Sequence, residues 1–247
     1  MESTKEHEQQ PAWPDGALQR AMGLLERCGL PRLSVIDVGA HFGETLESVH
    51  TIRTTQIKYL ALEPNPNSFE QLQKTANKFV AKDFEVSCMQ VAAGPNSGMT
   101  RFFATQASAV SGVLRATTGL DERVPTGDHH IVDEFDLPMI SLDDHIEKAG
   151  ISVVDLLKID VEGYDLEVLV GAARSLADQK VGAVVVEVFF VPYRDGQAYF
   201  WDIAQYLGEF GYSFVNLYDT RETGQGRLYT GNGLWVSSAT ASANDFL

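Results

Sequence analysis

Short apolar segments alternate with amphipathic segments along most of this sequence. Apolar runs of strand length are separated by segments whose apolar residues recur with helical periodicity. Near-continuous apolar strands joined by helices form parallel sheets that are covered on both faces, so the alternation predicts an α/β fold with a doubly wound, mostly parallel sheet. The predicted strands are 33–38, 57–62, 84–92, 154–159 and 182–190, and the predicted helices are 17–30, 44–52, 67–80, 165–176 and 197–210.

The alternation fails at the N-terminal end and in one internal stretch. Residues 1–16 are polar and predict a flexible tail, which leaves 17–247 as a single domain. Within 95–150 a strand at 99–104 precedes a long segment without periodicity. Long segments of this kind often serve as binding elements, so we expect an insertion at about 104–136 to act as a lid.

The end of the chain differs from the rest of the alternation. Two final predicted strands, 213–217 and 233–237, have no helix between them. Strands joined without a crossover helix pair antiparallel, so we expect an antiparallel C-terminal edge on the sheet.

Composition and charge exclude several classes of protein. The chain has 247 residues, and its 34 acidic and 19 basic side chains give a formal net charge of −15. This balance repels polyanions, so no nucleic-acid partner is expected. No segment approaches the roughly 20 apolar residues of a membrane span. The N-terminal residues are polar, so no secretory leader is expected. The two cysteines, Cys28 and Cys88, are too few for a disulfide framework. We therefore predict a cytoplasmic protein.

Two strand ends carry the features of a cofactor site. The first strand ends in Asp37-Val-Gly39-Ala-His41-Phe-Gly43, and its glycines let a ligand approach the backbone closely. The second strand ends at Glu63, which is placed to accept hydrogen bonds from ribose hydroxyls. The glycine spacing is not GxGxxG. These loops indicate an adenosyl ligand without separating a nicotinamide dinucleotide from S-adenosylmethionine.

Acidic residues mark the fourth and fifth predicted strands. The fourth strand runs into Lys158-Ile-Asp160-Val-Glu162, where Asp160 is placed to attract a sulfonium or to take a proton. Glu187 lies inside the apolar run VVVEVFF and must be paired, protonated or near a cavity mouth. Such carboxylates suit Mg²⁺, but nothing in the sequence fixes their separation, and we predict no resident metal.

Five sequence blocks follow one another along the chain: VIDVGAHFGET, LEPNPNSFEQL, SLDDHI, VDLLKIDVEGYDLEVLVGA and VVVEVFF. In this order they resemble the blocks of the FkbM-type S-adenosylmethionine-dependent methyltransferases. The block with KIDVEG is the most specific, whereas the first block resembles many class I methyltransferases. The resemblance covers about 33–190 and implies a Rossmann-like sheet, S-adenosylmethionine as cofactor and O-methylation of a hydroxyl on a sugar or small natural product.

The resemblance also implies roles for individual residues. The loop after the first strand is expected around the methionine part of the cofactor, Glu63 on the ribose, and Pro64 beside the adenine. The chemistry adds a separate expectation: an alcohol acceptor must lose its proton, and Asp160 is the first candidate base, followed by Glu162 and Glu187. His41, where relatives frequently carry Asn, is a candidate for binding or proton relay. The residues expected to hold the cofactor are Asp37, Gly39, Ala40, His41, Gly43, Glu63, Pro64, Gln90, Val91, Ala92 and Asp160.

Two other functions remain open from the sequence. A nicotinamide-dependent oxidoreductase is disfavoured by the missing second glycine and by the lack of a Tyr-x-x-x-Lys pair, and an inactive cofactor-binding module is disfavoured by the acidic strand ends. The acceptor is expected to be a small molecule or glycan. His129 and His130 lie in a charged segment and are expected to be solvated. The aromatic residues after the fifth strand are expected in the core, with Tyr193 or Trp201 as the ones that could instead face an acceptor.

Overall fold

The computed structural model describes residues 16–79, 83–117 and 129–245. The predicted tail lies outside these residues except for Gly16, and so does 118–128 of the predicted lid. The strands are β1 (Arg32–Val38), β2 (Gln56–Leu62), β3 (Phe84–Met89), β4 (Ala92–Ala93), β5 (Gly98–Thr105), β6 (Ile131–Ile140), β7 (Val154–Ile159), β8 (Val181–Phe189), β9 (Ser213–Glu222) and β10 (Leu228–Val236). The helices are α1 (Ala17–Arg27), α2 (Glu44–Ile52), α3 (Pro66–Phe79), α4 (Leu142–Lys148), α5 (Asp165–Val170), α6 (Ala173–Ala177), α7 (Phe200–Glu209) and α8 (Ser238–Ala243), with a 3₁₀ turn at Ser108–Val110.

Seven strands form the main sheet, in the order β3-β2-β1-β7-β8-β10-β9. The first five are parallel, and β10 runs antiparallel to both of its neighbours. In the centre, Val35 lies opposite Tyr59 on one side and Leu156 on the other. The prediction of a doubly wound, mostly parallel sheet with an antiparallel C-terminal edge is confirmed.

The two largest parts of the core are layers, one on each face of the main sheet. Successive residues of a strand point to opposite faces, so Val35 packs in the layer under α1, α2, α3 and α8, and Ile36 in the layer under α4 to α7. Both side chains are about 1% exposed. Burial of an aliphatic side chain of this size contributes roughly 1.5–3 kcal/mol, which explains why the strands are apolar on both faces.

A second, three-stranded sheet corrects the prediction for 84–104. The third strand of the main sheet ends at Met89, not at Ala92. The chain then leaves the main sheet, and Ala92–Ala93 pairs with the end of β6, which pairs antiparallel with β5. The sequence analysis missed β6, although its apolar residues alternate with charged residues or proline in a strand pattern. These apolar residues are Phe135, Leu137 and Met139.

The predicted helix over 165–176 is two helices, α5 and α6. They are separated at Gly171, whose backbone lies so close to Gly94 that a Cβ at Gly171 would overlap the Gly94 carbonyl oxygen. The carbonyl oxygen of Gly171 accepts hydrogen bonds from Asp143 N at 2.8 Å and Ser141 Oγ at 3.0 Å. Contacts with a distant segment therefore decide where this helix breaks.

Two other elements differ in length from their predictions. Helix α7 begins at Phe200 rather than at residue 197, and the strands β9 and β10 extend well beyond the predicted 213–217 and 233–237 to form a long hairpin. None of the helices in the described ranges is long and apolar enough to cross a membrane.

Candidate active site

A cavity of about 400 Å³ lies at the carboxyl ends of the parallel strands. It spans the point between β1 and β7 where the strand order reverses, which is where ligands bind in doubly wound sheets. The ends of β1, β2, β7 and β8 contribute walls, together with the β9–β10 hairpin and residues 108–113. The volume falls in the range of small-molecule sites, about 300–1,000 Å³.

The loop after β1 is a tight turn that fits against the loop after β7. Gly39 has φ of +80°, and a Cβ there would overlap the carbonyl oxygen of Asp160. His41 has φ of +48°, a left-handed conformation that Asn and His adopt more readily than most residues. Gly43, with φ of +98°, precedes α2.

Glu63, at the end of β2, is a fixed and nearly buried acceptor on the cavity wall. It is 6% exposed, and its two carboxylate oxygens accept hydrogen bonds from the backbone N–H groups of His41 and Asn65, each at 2.8 Å. Burial raises the pKa of Glu63 to about 7; the two N–H groups oppose this rise, and the charge of Asp37 adds to it. Each carboxylate oxygen has a further lone pair, so the group can still accept from ligand hydroxyls.

Lys158 connects the loop after β1 with the acidic end of β7. Its Nζ lies 3.2 Å from Asp37 Oδ1 and 3.6 Å from Asp160 Oδ2, and it donates to the carbonyl oxygen of Gly39 at 3.1 Å. Burial lowers the pKa of Lys158, but the carboxylates of Asp37 and Asp160 outweigh burial and raise it above the ordinary value. Asp37 also accepts from Tyr59 Oη at 2.6 Å. The Asp37 carboxylate is therefore occupied by protein groups.

Three carboxylates meet at the ends of β7 and β8. One oxygen each of Asp160, Glu162 and Glu187 lies within 4.8 Å of the others. Burial raises the pKa of Glu187 well above its ordinary value, and the neighbouring charge of Asp160 adds to this rise. Burial also raises the pKa of Glu162, although Arg194 opposes the effect. Asp160, whose side chain is 39% exposed, is the member most open to a ligand.

The turn that presents these acids is held by Asp165. Glu162 and Gly163 both have positive φ, at +59° and +93°. The two carboxylate oxygens of Asp165 accept from the backbone N–H groups of Val161 and Gly163, at 3.3 and 3.0 Å. Consecutive left-handed residues are strained for a non-glycine such as Glu162, and the buried Asp165 compensates part of that cost.

Arg194 is a buried cation that the sequence analysis did not identify. It is 3% exposed, and its Nη2 lies 2.8 Å from Glu162 Oε2 and donates to the Val110 carbonyl oxygen at 2.6 Å. The guanidinium also lies over the ring of Tyr193, 4.5 Å from its centroid. Separating the two charges of a buried ion pair is costly in free energy, because each is left without its partner. Arg194 therefore holds the Glu162 carboxylate in place.

Residues 106–117, which we term the roof segment, include the cavity-lining residues 108–113, and hydrogen bonds attach them to two other parts of the protein, the loop after β1 and residues 193–194. His41 Nε2 is hydrogen-bonded to Ser108 Oγ at 2.9 Å, and Thr117 N donates to the Tyr193 carbonyl oxygen at 3.1 Å. A further hydrogen bond runs from Arg194 to Val110. The roof segment belongs to the predicted lid, and its movement as a lid stays a prediction.

Most of the residues predicted to hold the cofactor line this cavity. Asp37, Gly43 and Gln90 are not among its lining residues, and their contact with a cofactor stays a prediction. The residues 90–92 do not close the third strand as predicted, because β3 ends earlier. The predicted cofactor-binding residues that do line the cavity are Gly39, Ala40, His41, Glu63, Pro64, Val91, Ala92 and Asp160.

Some aromatic and histidine predictions need correction. His129 is buried, at 6% exposed, with its ring 5.4 Å from that of Tyr193, so the prediction that it is solvated is wrong; His130 is exposed as predicted. Tyr193 lines the cavity, whereas Trp201 is exposed outside it. Lys158 could have been predicted as a site residue, because a lysine within a mostly apolar strand needs an acidic partner.

The methyltransferase FkbM domain matches residues 37–214, which include the ends of β1, β2, β7 and β8 that form the cavity. The chain belongs to the FkbM methyltransferase family. The resemblance inferred from the sequence blocks is confirmed, and family membership favours a methyltransferase over a nicotinamide-dependent oxidoreductase.

Two relatives place this FkbM domain among known proteins. A hexuronic acid methyltransferase, AglP, of Haloferax volcanii is 28% identical over 153 residues, which are 62% of this chain and 54% of the relative. The crystal structure of methyltransferase FkbM from Methylobacillus flagellatus KT matches with a TM-score of 0.53 and 20% identity, over 87% of this chain and 47% of that one. This chain therefore spans about half the length of both relatives, and the structural match confirms the Rossmann-like fold.

Proposed function

We propose that this FkbM domain transfers the methyl group of S-adenosylmethionine to a hydroxyl of a sugar or small natural product, with Asp160 as the base. The observation that carries the proposal is that a buried fixed acceptor, Glu63, and an accessible carboxylate, Asp160, line the same cavity. Family membership supports methyl transfer, and the relative named as a hexuronic acid methyltransferase supports a sugar acceptor.

The cavity residues fit an adenosyl cofactor. Glu63 retains acceptor capacity for two ribose hydroxyls, and Pro64 and Val91 offer apolar surface nearby for an adenine ring. The small residues Gly39 and Ala40 leave space along the loop after β1. The acids at the ends of β7 and β8 provide negative charge for a sulfonium.

The cofactor supplies an electrophilic methyl group on a positively charged sulfur. Methyl transfer requires the acceptor oxygen, the methyl carbon and the sulfur to lie in line, so the main task of the cavity is to hold them in that arrangement. Asp160 would take the proton of the acceptor hydroxyl, so that its oxygen could receive the methyl group that S-adenosylmethionine would supply. Lys158, 3.6 Å from Asp160 Oδ2, positions this carboxylate, while Glu162 stays paired with Arg194.

Calorimetry with S-adenosylhomocysteine and with NAD tests the cofactor. We expect the FkbM domain to bind S-adenosylhomocysteine and to give no response to NAD. Tight NAD binding without a response to S-adenosylhomocysteine would remove the methyltransferase proposal. Binding of S-adenosylhomocysteine without methyl transfer to any acceptor would favour the inactive-module alternative.

Mass spectrometry of extracts from cells with and without the protein tests the acceptor. We expect one product heavier by a methyl group. A hexuronic acid presents hydroxyls and a carboxylate, so the stability of the new bond distinguishes them: a methyl ether survives mild base, and a methyl ester is hydrolysed. A base-labile methyl group contradicts hydroxyl transfer and makes the carboxylate the acceptor, a reaction that needs no base. The cytoplasmic location and the lack of a nucleic-acid partner stay predictions from the sequence.

A further inference from the structure

The cavity continues past the three acids onto the β9–β10 hairpin. Its wall there includes Thr230 and Asn232 of β10 and Asp219 and Arg221 of β9. Strand β9 is three positions from β7 in the sheet, and at about 4.8 Å per strand the backbone of Arg221 is roughly 14 Å from the strand that carries Asp160. Both residues line the same cavity, so a ligand lying between the two strands would meet both side chains.

Arg221 differs from the other formally cationic side chain of the cavity lining, Lys158. The Lys158 ammonium is engaged by two carboxylates and a carbonyl oxygen. Arg221 is exposed, and within residues 16–79, 83–117 and 129–245 its guanidinium has no hydrogen bond or ion pair. The nearby acid Asp219 is hydrogen-bonded to other groups: its Oδ2 accepts from Ala17 N at 3.3 Å and from Asn232 Nδ2 at 3.0 Å.

A free guanidinium is unusual in a cavity that is otherwise acidic. Glu63, Asp160, Glu162 and Glu187 line the same space, and the net charge of −15 repels anions at long range. A guanidinium binds a carboxylate with two parallel N–H bonds, which adds orientation to charge attraction. The acid group of an acidic acceptor would therefore bind at the Arg221 end of the cavity, and the opposite end of the acceptor would lie towards Asp160.

We propose that Arg221 forms a carboxylate-binding subsite and that the methyl acceptor is a hydroxylated carboxylic acid of monosaccharide size, such as a hexuronic acid unit. The inference rests on the proposed function, because it needs a cofactor in the half of the cavity beside Glu63. The name of the Haloferax volcanii relative agrees with this substrate class. In this arrangement Arg221 holds the acid group and Asp160 meets a hydroxyl on the opposite side of the ring.

Calorimetry on the protein loaded with S-adenosylhomocysteine tests the subsite. The probes are D-glucuronate and D-galacturonate, compared with D-glucose and D-galactose. We expect the uronates to bind about tenfold more tightly than the neutral sugars, and the preference to shrink as ionic strength rises. Arg221→Gln should abolish the preference and Arg221→Lys should retain part of it. Arg227→Gln is the matched control, because Arg227 lies on the same hairpin and is not a lining residue of the cavity.

The outcomes separate this inference from the proposed function. Failure of the wild-type protein to bind S-adenosylhomocysteine overturns the proposed function, and this inference with it. Normal S-adenosylhomocysteine binding with equal or absent binding of the uronates overturns the Arg221 subsite alone. A uronate preference that persists in Arg221→Gln also contradicts the inference, since another group must then recognise the acid.

Discussion

The two halves of the cavity are built in different ways. The cofactor half is the part of the cavity formed by Glu63 and the loop after β1. There Glu63 accepts hydrogen bonds from the backbone of His41, 22 residues away in the loop after β1, and of Asn65, two residues away in the loop after β2. The acceptor half is the part formed by the acids at the ends of β7 and β8 and by the residues that hold them. There Arg194 bonds to Val110, 84 residues away in the sequence, and to Glu162, 32 residues away. Short motifs thus form the first half, and long-range contacts assemble the second. Substitutions should separate the two halves by their effects on cofactor binding, on turnover and on stability.

The largest effect is expected for Asp160, which lies where the halves meet. If Asp160 is the base, Asp160→Asn lowers turnover by about 10²–10⁴ and leaves S-adenosylhomocysteine affinity within a few-fold. Single-turnover methyl transfer and calorimetry measure the two quantities. If Asp160 only neutralises the sulfonium, the same substitution weakens S-adenosylmethionine more than S-adenosylhomocysteine, which has no positive sulfur, and the role of base is then wrong.

The second effect concerns the long-range half. Arg194→Met leaves Glu162 buried without its cation, and we expect the free energy of unfolding to fall by about 3 kcal/mol. It also removes the bond to Val110, so hydrogen exchange in residues 108–113 should accelerate. S-adenosylhomocysteine affinity should change little, because the cofactor half does not contact Arg194. Urea unfolding and hydrogen-exchange mass spectrometry measure these changes.

A double variant controls for the unpaired charge. Glu162→Gln combined with Arg194→Met removes both charges and should recover most of the lost stability, because replacing both partners of a buried pair is often close to neutral. Exchange in residues 108–113 should stay fast, because Val110 still lacks its donor. A double variant as unstable as the single variant would mean that packing of Arg194 on Tyr193, not the ion pair, matters most.

The same contrast explains what the sequence predicted of the fold. The β1, β2 and β7 strands follow from local apolar pattern and were predicted within a residue of their bounds. The break between α5 and α6 was not predicted, because it depends on Gly94, 77 residues from Gly171 in the sequence, approaching the helix. Local pattern specifies an element, and tertiary contacts decide where it ends.

The candidate site follows the same rule. Glu63 and Asp160 were identified because each ends a recognisable strand. Arg194 was missed because it lies in an irregular segment after β8, where nothing in the neighbouring sequence indicates that it meets Glu162. Arg221 was missed because its strand, β9, is longer than the pattern predicted. Long-range pairing brings such residues to the cavity, and a single sequence carries no signal for it.

The third effect tests the motif-based half. Glu63→Ala removes an acceptor that is held by two backbone N–H groups, and we expect S-adenosylhomocysteine to bind about tenfold to a hundredfold more weakly, since charge-assisted hydrogen bonds contribute roughly 1.5–3 kcal/mol. Calorimetry measures the change, and circular dichroism confirms the fold. An unchanged dissociation constant would remove Glu63 from the cofactor site.

The fourth effect is a pH dependence of cofactor binding. Burial raises the pKa of Glu63 to about 7, and the ionised form is the better acceptor for ribose hydroxyls. Protonation of Glu63 therefore competes with binding, so S-adenosylhomocysteine affinity should level off above about pH 8 and fall by about tenfold between pH 8 and pH 6. Glu63→Gln should remove the pH dependence. A dependence that survives in this variant would point to Glu162 or Glu187, whose pKa values burial also raises.

The smallest effect is expected from removal of divalent cations. The oxygens of Asp160, Glu162 and Glu187 lie close enough together to hold Mg²⁺. However, Arg194 lies 2.8 Å from Glu162, and Lys158, which also pairs with Asp37, lies 3.6 Å from Asp160, so protein cations already offset part of the charge of two of the three carboxylates. We therefore expect turnover to stay within about twofold in excess EDTA. A loss of turnover that added Mg²⁺ restores would contradict this prediction, and it would make the three acids a metal site between the two halves of the cavity.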